Sequence, residues 1–376
     1  MQYRKIPKSS DRISVLGFGC MRFPTTESGD IQEEKTLELL QYAYDNGINY
    51  FDTAWNYHQG ESEPLLGKFL NKIDREKIFL ATKLPSWEIK SRQDFYRFLD
   101  KQLERLQTDY IDYYLLHSLN SKNWDNLMKH DVLTFLVEAK SSGKIRNAGF
   151  SFHDQYQVFD KIVKSWNWDF TLIMLNYLDT EYQAGLRGYR LALEHKMGVM
   201  VMEPLRGGKL VAPIPEAVNE IWQKSKYKAS MVERSLRWVW NLPGYTTVLS
   251  GMSNLEQLKE NIELSDRHKS DEIDDEELRL YARAREEYLK RIAVPCTECR
   301  YCLPCPHGVL IPSVIGIYNE AMMFGDRERH KKEYLNFLPE KGRADQCTSC
   351  GECFPKCPRK IDIPAIMTEI TNYFGE

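Results

Sequence analysis

Residues 49–118 read NYFDTAWNYHQGESEPLLGKFLNKIDREKIFLATKLPSWEIKSRQDFYRFLDKQLERLQTDYIDYYLLHS. Three short apolar runs stand out: NYFDTA (49–54), KIFLATK (77–83) and YIDYYLLHS (110–118). Between them lie stretches of helical patterning, the clearest being RQDFYRFLDKQLERL (92–106). Working outward, the same alternation continues in SVLGFG (14–19), KIRNAGFSF (144–152), FTLIMLNYL (170–178), GVMVMEP (198–204) and YTTVLSGM (245–252). Several runs are apolar on both faces and rich in β-branched and aromatic residues, as buried parallel strands are. In EEKTLELLQYAYDNG (33–47), Gly47 supplies a helix stop. Eight strand-then-helix units in ~250 residues predict a (β/α)8 barrel. The opening QYRKIPKSSDRISV (2–15) is expected to form a hairpin across the barrel bottom. A doubly wound open sheet competes less well, because no G-x-G-x-x-G follows the first strand and eight units are many for it.

The whole chain has 376 residues, 42% hydrophobic and 28% charged, which is enough to bury a barrel-sized core with an appendage. A formal net charge of −3 advertises no broad basic face for nucleic acid. No run approaches the ~18 apolar residues of a membrane span, and MQYRKIPKSS lacks the apolar stretch of a secretory signal. The expectation is a cytoplasmic protein that binds neither nucleic acid nor membrane.

Barrel chemistry sits at the C-terminal ends of the strands. There the second strand ends with Asp52 and, five residues on, Tyr57; the third ends in Lys83 and the fourth in His117. A tyrosine is a poor acid at neutral pH, with a reference pKa near ~10. A lysine ammonium beside it favours the phenolate and lowers that value, and an aspartate keeps the lysine charged. With a histidine to orient a substrate oxygen, the group can protonate a carbonyl oxygen while a hydride arrives at the carbon. Taken singly, each residue has a plainer reading: a helix cap, a surface lysine, a core histidine. Four at consecutive strand ends do not.

FDTAWNYHQGESEPLLGKFL, FLATK, DYYLLHS and GFSFHD resemble the aldo/keto reductase superfamily of (β/α)8 barrels, and the likeness covers residues 1–265. The D-T-A-x-x-Y-x-x-x-x-S-E-x-x-L-G block is its most specific part. The resemblance implies a catalytic tetrad of Asp52, Tyr57, Lys83 and His117, with Tyr57 the general acid, and a small carbonyl substrate. It also implies an NAD(P)H site. Ser151 matches the residue that meets the nicotinamide carboxamide, and Asn176 lies on the strand lining the ring. Leu172 stands where many members carry Gln. SGMSNLEQLKENI (250–262) corresponds to the adenosine-phosphate region, with Gly251, Ser253, Gln257 and Asn261 in register. The family's Lys and Arg for a 2′-phosphate fall on Gly251 and Gln257, and a phosphate monoester wants such cations. Arg22, just past the first strand, can meet an anion or form an ion pair. Trp55 and Trp87 are placed to line a substrate pocket, Cys20 to be a buried small hydrophobe, and Trp166 and Trp168 to lie in the core.

Eight of the nine cysteines fall between Cys296 and Cys357, which in such a chain points to metal rather than disulfides. They form two runs, Cys296-x2-Cys299-x2-Cys302-x2-Cys305-Pro306 and Cys347-x2-Cys350-x2-Cys353-x3-Cys357-Pro358. The second is the bacterial ferredoxin run and the first is one residue short of it. Both continue alike, CPHGVLIPSV and CPRKIDIPAI, so they form an internal repeat. Paired C-x2-C knuckles also make zinc sites, but one zinc uses a single knuckle pair and does not require four cysteines with a trailing proline. Eight thiolates match two [4Fe–4S] clusters. By the ferredoxin crossing rule, Cys296, Cys299, Cys302 and Cys357 hold one, and Cys347, Cys350, Cys353 and Cys305 the other. The segment between the runs is helical in pattern, so the tail resembles an α-helical ferredoxin.

The expected organisation is a barrel over 1–268, a linker helix over 269–291 and a two-cluster domain over 292–376. Aldo/keto reductases with such tails form a subgroup that this chain resembles end to end. The expected function is carbonyl reduction by NAD(P)H hydride in a protein carrying two clusters. A nicotinamide gives two electrons at once and a cluster passes one, with a flavin the usual intermediary. One alternative therefore has clusters, fed by a ferredoxin-like donor, reducing a barrel-bound FMN. A redox sensor or electron carrier with a vestigial barrel is another.

Overall fold

A computed structural model describes residues 1–211, 213–267 and 272–375. The chain separates into two compact units, Met1–Gly207 with Ala229–Asp274, and Gly208–Lys228 with Asp275–Glu376.

The first unit opens with a hairpin of β1 (Tyr3–Lys5) and β2 (Arg12–Ser14), antiparallel with Arg4 opposite Ile13. The eight sequence-predicted strands then appear as β3 (Leu16–Gly19), β4 (Tyr50–Asp52), β5 (Phe79–Leu84), β6 (Ile111–Leu119), β7 (Ile145–Phe152), β8 (Phe170–Met174), β9 (Gly198–Met202) and β10 (Thr247–Ser250). All pair in parallel and β10 closes on β3, giving a closed barrel. Ile6 and Ile13 of the hairpin are buried with Tyr50, Tyr113, Phe170 and Met200 in the barrel interior. Tyr50, Phe170 and Gly198 open their strands, so the hairpin plugs the N-terminal mouth and leaves the C-terminal one for chemistry. A Cβ on Gly198 would stand 2.4 Å from Ile6 Cδ1, so this approach requires glycine.

The second unit is helical. Glu216–Trp222 packs on Asp275–Lys290, where the Trp222 and Tyr281 rings meet edge to face at 4.9 Å. Helices Ile311–Phe324, Arg327–Phe337 and Ile363–Gly375 bury Val314, Ile315, Tyr318, Met367 and Phe374, and the cysteine loops pack against that core. Segment Gly208–Lys228, counted with the barrel in sequence, groups with the tail, as does the charged helix Asp275–Lys290. The expected boundary at 268/269 lies outside the described residues. Among the described residues no helix is long and apolar enough to cross a membrane.

Candidate active site and cysteine cavities

Asp52 is the last residue of β4, Lys83 the penultimate residue of β5, and Tyr57 begins the short helical turn Tyr57–Gly60 above β4. Lys83 Nζ donates to Asp52 Oδ1 at 2.6 Å, to the Thr53 carbonyl at 2.7 Å and to Tyr57 Oη at 3.2 Å. Asp52 and Lys83 are buried, so their charges hold only as a pair. Burial works against the Lys83 ammonium, yet Asp52 and then Tyr57 outweigh it and its pKa rises. Burial likewise raises Tyr57, and the opposing pull of Lys83 does not cancel it. The sequence expectation of a lowered tyrosine therefore holds for the lysine's own contribution and not for the net shift. At neutral pH Tyr57 keeps its proton.

His117 arrives through a β-bulge. The β6–β7 pairing shifts register between Leu116 and Leu119, and Ser118 is left-handed at φ 52. That irregularity re-aims the side chain at the rim. The His117 ring meets Tyr57 edge-on at 6.0 Å and Trp87 at 5.2 Å. Burial first, then Lys83 and His153, hold His117 well below the usual histidine range, so it is neutral. Its Nδ1 is buried without a hydrogen-bond partner. A proton-bearing phenol, a fixed ammonium and a neutral imidazole thus converge at one mouth.

The remaining barrel candidates divide by what they already bind. Ser151, near the end of β7, accepts the Ser118 N–H at 2.8 Å, which leaves its hydroxyl hydrogen free to donate. Asn176 is committed elsewhere. Its Nδ2 donates to Asp179 Oδ2 and the Glu203 carbonyl, and its Oδ1 accepts from the N–H groups of Leu178 and Asp179. All four of its hydrogen-bonding sites are used within the protein, so it braces the loop after β8. Gln257 Oε1 accepts from Ser253 N and Oγ at 3.0 and 3.3 Å, and Asn261 donates to Ser250 Oγ at 3.0 Å. Asn254 caps the helix Leu255–Arg267 through the Gln257 N–H. Gly251 lets the exposed Arg22 pass, since a Cβ there would stand 2.5 Å from Arg22 Cγ. Cys20 is fully buried. Trp168 lies in the core, while Trp87 is 42% exposed at the mouth and Trp55 sits under the Arg105 guanidinium at 3.6 Å.

Two features around Tyr57 escaped the sequence reading. His58 and Gln59 are consecutive left-handed residues, φ 50 and 58, a costly conformation without glycine. His58 Nε2 accepts the Phe23 N–H at 3.2 Å, and the two rings stack at 5.4 Å. Behind Lys83, the fully buried Glu63 accepts from Thr82 Oγ1, Gln102 Nε2 and Arg105, while Gln102 also donates to the Lys83 carbonyl at 3.0 Å. Glu63 was visible only as the Glu of the S-E-x-x-L-G block.

In the second unit the cysteines line two cavities of about 390 and 350 Å³. One is lined by Cys305, Cys347, Cys350 and Cys353, the other by Cys296, Cys299 and Cys357, and Cys302 reaches both. The repeat extends to the backbone. Glu298, Arg300 and Gly308 in the first run, and Ser349, Gly351 and Lys360 in the second, are left-handed at corresponding positions. These turns wrap each C-x2-C loop around its cavity. Burial raises the Cys296 and Cys353 thiols and lifts Cys302 to about 11.

A family model described as "Aldo/keto reductase family" matches residues 15–277, and one described as "4Fe-4S dicluster domain" matches 295–361. The chain is 29% identical to the uncharacterized oxidoreductase YqkF of Bacillus subtilis, over 70% of this chain and 90% of that one. It is 25% identical to the NADH-specific methylglyoxal reductase of Escherichia coli, over 69% and 92%. The solved holo form of aldo-keto reductase AKR11C1 from Bacillus halodurans superposes with a TM-score of 0.64 at 27% identity, covering 76% of this chain and 96% of that one. The chain belongs to the aldo/keto reductase family and is an oxidoreductase barrel with a C-terminal 4Fe-4S dicluster domain.

Proposed function

We propose that the barrel reduces the carbonyl of a small aldehyde or ketone, with Tyr57 as general acid. The observation that carries this reading is the single Lys83 ammonium held at once by Asp52 Oδ1 and Tyr57 Oη at the C-terminal mouth. NAD(P)H, when bound, supplies the hydride. Tyr57 donates its proton to the carbonyl oxygen as that oxygen gains charge, and Lys83 stabilises the phenolate left behind. Asp52 keeps Lys83 charged, and neutral His117 hydrogen-bonds and orients the substrate oxygen. Trp87, against His117 and partly exposed, gives the mouth an apolar wall that excludes water.

The residues present fit a dinucleotide. Ser151 has a hydroxyl hydrogen to offer a carboxamide, and the exposed Arg22 lies across Gly251 beside the capped start of helix Leu255–Arg267. With no cation at 251 or 257, NADH is the expected donor over NADPH. The methylglyoxal reductase of E. coli is NADH-specific by name, which agrees with this and with a small carbonyl substrate. Asn176 is assigned a supporting role rather than a cofactor contact. The FMN alternative gains no separate support from the described residues.

In the tail, Cys296, Cys299, Cys302 and Cys357 would hold one [4Fe–4S] cluster and Cys347, Cys350, Cys353 and Cys305 the other. The two cavities support this division, Cys302 being the one cysteine among the described residues that lines both. The clusters pass electrons singly.

Tyr57→Phe tests the barrel reading. NADH-dependent reduction of methylglyoxal should fall by ~10²–10⁴-fold while iron content is unchanged; undiminished reduction rejects the role.

A further inference from the structure

Helices Ile311–Phe324 and Arg327–Phe337 carry three donors that neither the clusters nor the barrel chemistry uses. Glu320 stands on the first helix, and His330 and Glu333 lie one turn apart on the second. One ligating atom from each falls within 4.8 Å of the other two. The His330 side chain is fully buried, whereas Glu320 and Glu333 are 28% and 21% exposed, so the cluster has an inner wall and an open side.

The imidazole tautomer follows from its neighbours. Nδ1 lies 2.6 Å from the Asp326 carbonyl oxygen, which can only accept, so Nδ1 carries a hydrogen. Nε2 then faces Glu320 Oε2 at 3.6 Å and Glu333 Oε2 at 4.0 Å with no hydrogen-bond partner. A bare lone pair against two carboxylate oxygens is repulsive, so a positive species belongs among them. The same two oxygens already attract one, for the Lys209 ammonium is hydrogen-bonded to both, at 2.9 Å for Glu333. Arg329 approaches the other oxygen of Glu333, Oε1, at 3.5 Å.

We propose that His330 Nε2, Glu320 and Glu333 form a binding site for a divalent metal of the zinc type. Lys209 is its internal stand-in, displaced when the ion binds. The ring is oriented as metal-bound imidazoles are, its second nitrogen donating to a backbone carbonyl. Donor spacings of 3.6 and 4.0 Å close readily to the ~3.4 Å of a tetrahedral site with bonds near ~2.05 Å. Two carboxylates neutralise the ion, and the open side admits a water as fourth ligand. Lys209 leaves for solvent still charged.

The test uses the full-length holoprotein, prepared anaerobically with its iron and sulfide content verified, so that cluster cysteines cannot take up zinc. Equilibrium dialysis against Zn²⁺ with elemental analysis should show one zinc per chain. His330→Gln and Glu333→Gln should each weaken binding by more than ~100-fold, beyond the 10–100-fold typical of losing an outer-shell partner. Lys209→Met should bind more tightly than the parent, because it removes the competing cation. Should His330→Gln fail to fold, Glu333→Gln and Lys209→Met carry the comparison. Zinc uptake that ignores the glutamine substitutions, or a Lys209→Met protein that binds no better than the parent, overturns the site. The cluster is then an ion-pair network closed by Lys209 alone.

Discussion

Lys83 remains an ammonium in a place water does not reach, and the consequences reach Tyr57 directly. Burial lifts the Tyr57 pKa above that of an ordinary tyrosine and Lys83 draws it partly back. The acid form therefore persists through neutral pH, and kcat/KM should stay flat there and fall only above ~10, where a tyrosine begins to ionise. Lys83→Met removes the downward pull. The alkaline limb should move to still higher pH while kcat drops by ~10²-fold or more, checked by a pH–rate profile of the two proteins. His58 sets the opposite limb. Burial, then Arg22, holds its pKa below the usual histidine value, so it is neutral and accepts the Phe23 N–H. That acceptor is lost as pH falls through the lowered value, freeing the strained turn that carries Tyr57. kcat should thus decline on the acid side in the parent, and the decline should be absent in His58→Gln, which keeps an acceptor oxygen. His58→Gly relieves the left-handed strain but removes the clip, and should cost ~10-fold in kcat with little change in Tm. A loss of Tm without loss of kcat would contradict the positioning role.

The elements were legible to different degrees, for physical reasons. Buried parallel strands must be apolar on both faces, so all eight announced themselves. The hairpin was legible because its polar loop separates two short extended runs. Asp52, Tyr57 and Lys83 followed, since strand ends fix where the mouth is. The bulge at Ser118 was not legible: YYLLHSL reads as an unbroken strand, and the shift depends on pairing with β7. Nor was the commitment of Asn176, which depends on Asp179 and Glu203 folding back onto it. The excursion Gly208–Lys228 resembles an ordinary barrel loop until Trp222 meets Tyr281. One buried charge was missed altogether. Asp112 on β6 accepts from Arg75 at 2.7 Å, from Arg146 at 2.9 Å and from the Leu80 N–H at 3.0 Å. Asp112→Ala orphans that N–H, while both arginines retain access to solvent. A loss of ~2–3 kcal/mol is expected, read from thermal denaturation; a change below ~0.5 kcal/mol would show the triad to be dispensable.

Across the whole molecule, two chemistries with different electron counts meet in one chain. Hydride transfer in the barrel needs no single-electron carrier, so the dicluster domain is expected to be separable from carbonyl reduction. Cys350, the one exposed cluster cysteine, offers the mildest test. Cys350→Ser should reduce iron from about eight toward about four per chain and leave aldehyde reduction within ~2-fold, as measured by iron analysis and initial rates on one preparation. A proportional loss of both would tie the clusters to turnover. The most direct measurement follows the hydride itself. NADH deuterated at C4 is supplied to the anaerobic holoprotein with methylglyoxal, and the alcohol product is analysed by mass spectrometry in the parent and in Tyr57→Phe. One deuterium is expected at the former carbonyl carbon in the parent, with near-complete loss of product in Tyr57→Phe and cluster absorption unchanged by NADH in both. Unlabelled product accompanied by bleaching of the clusters would show that electrons, not hydride, reach the substrate, and would contradict hydride transfer in the barrel.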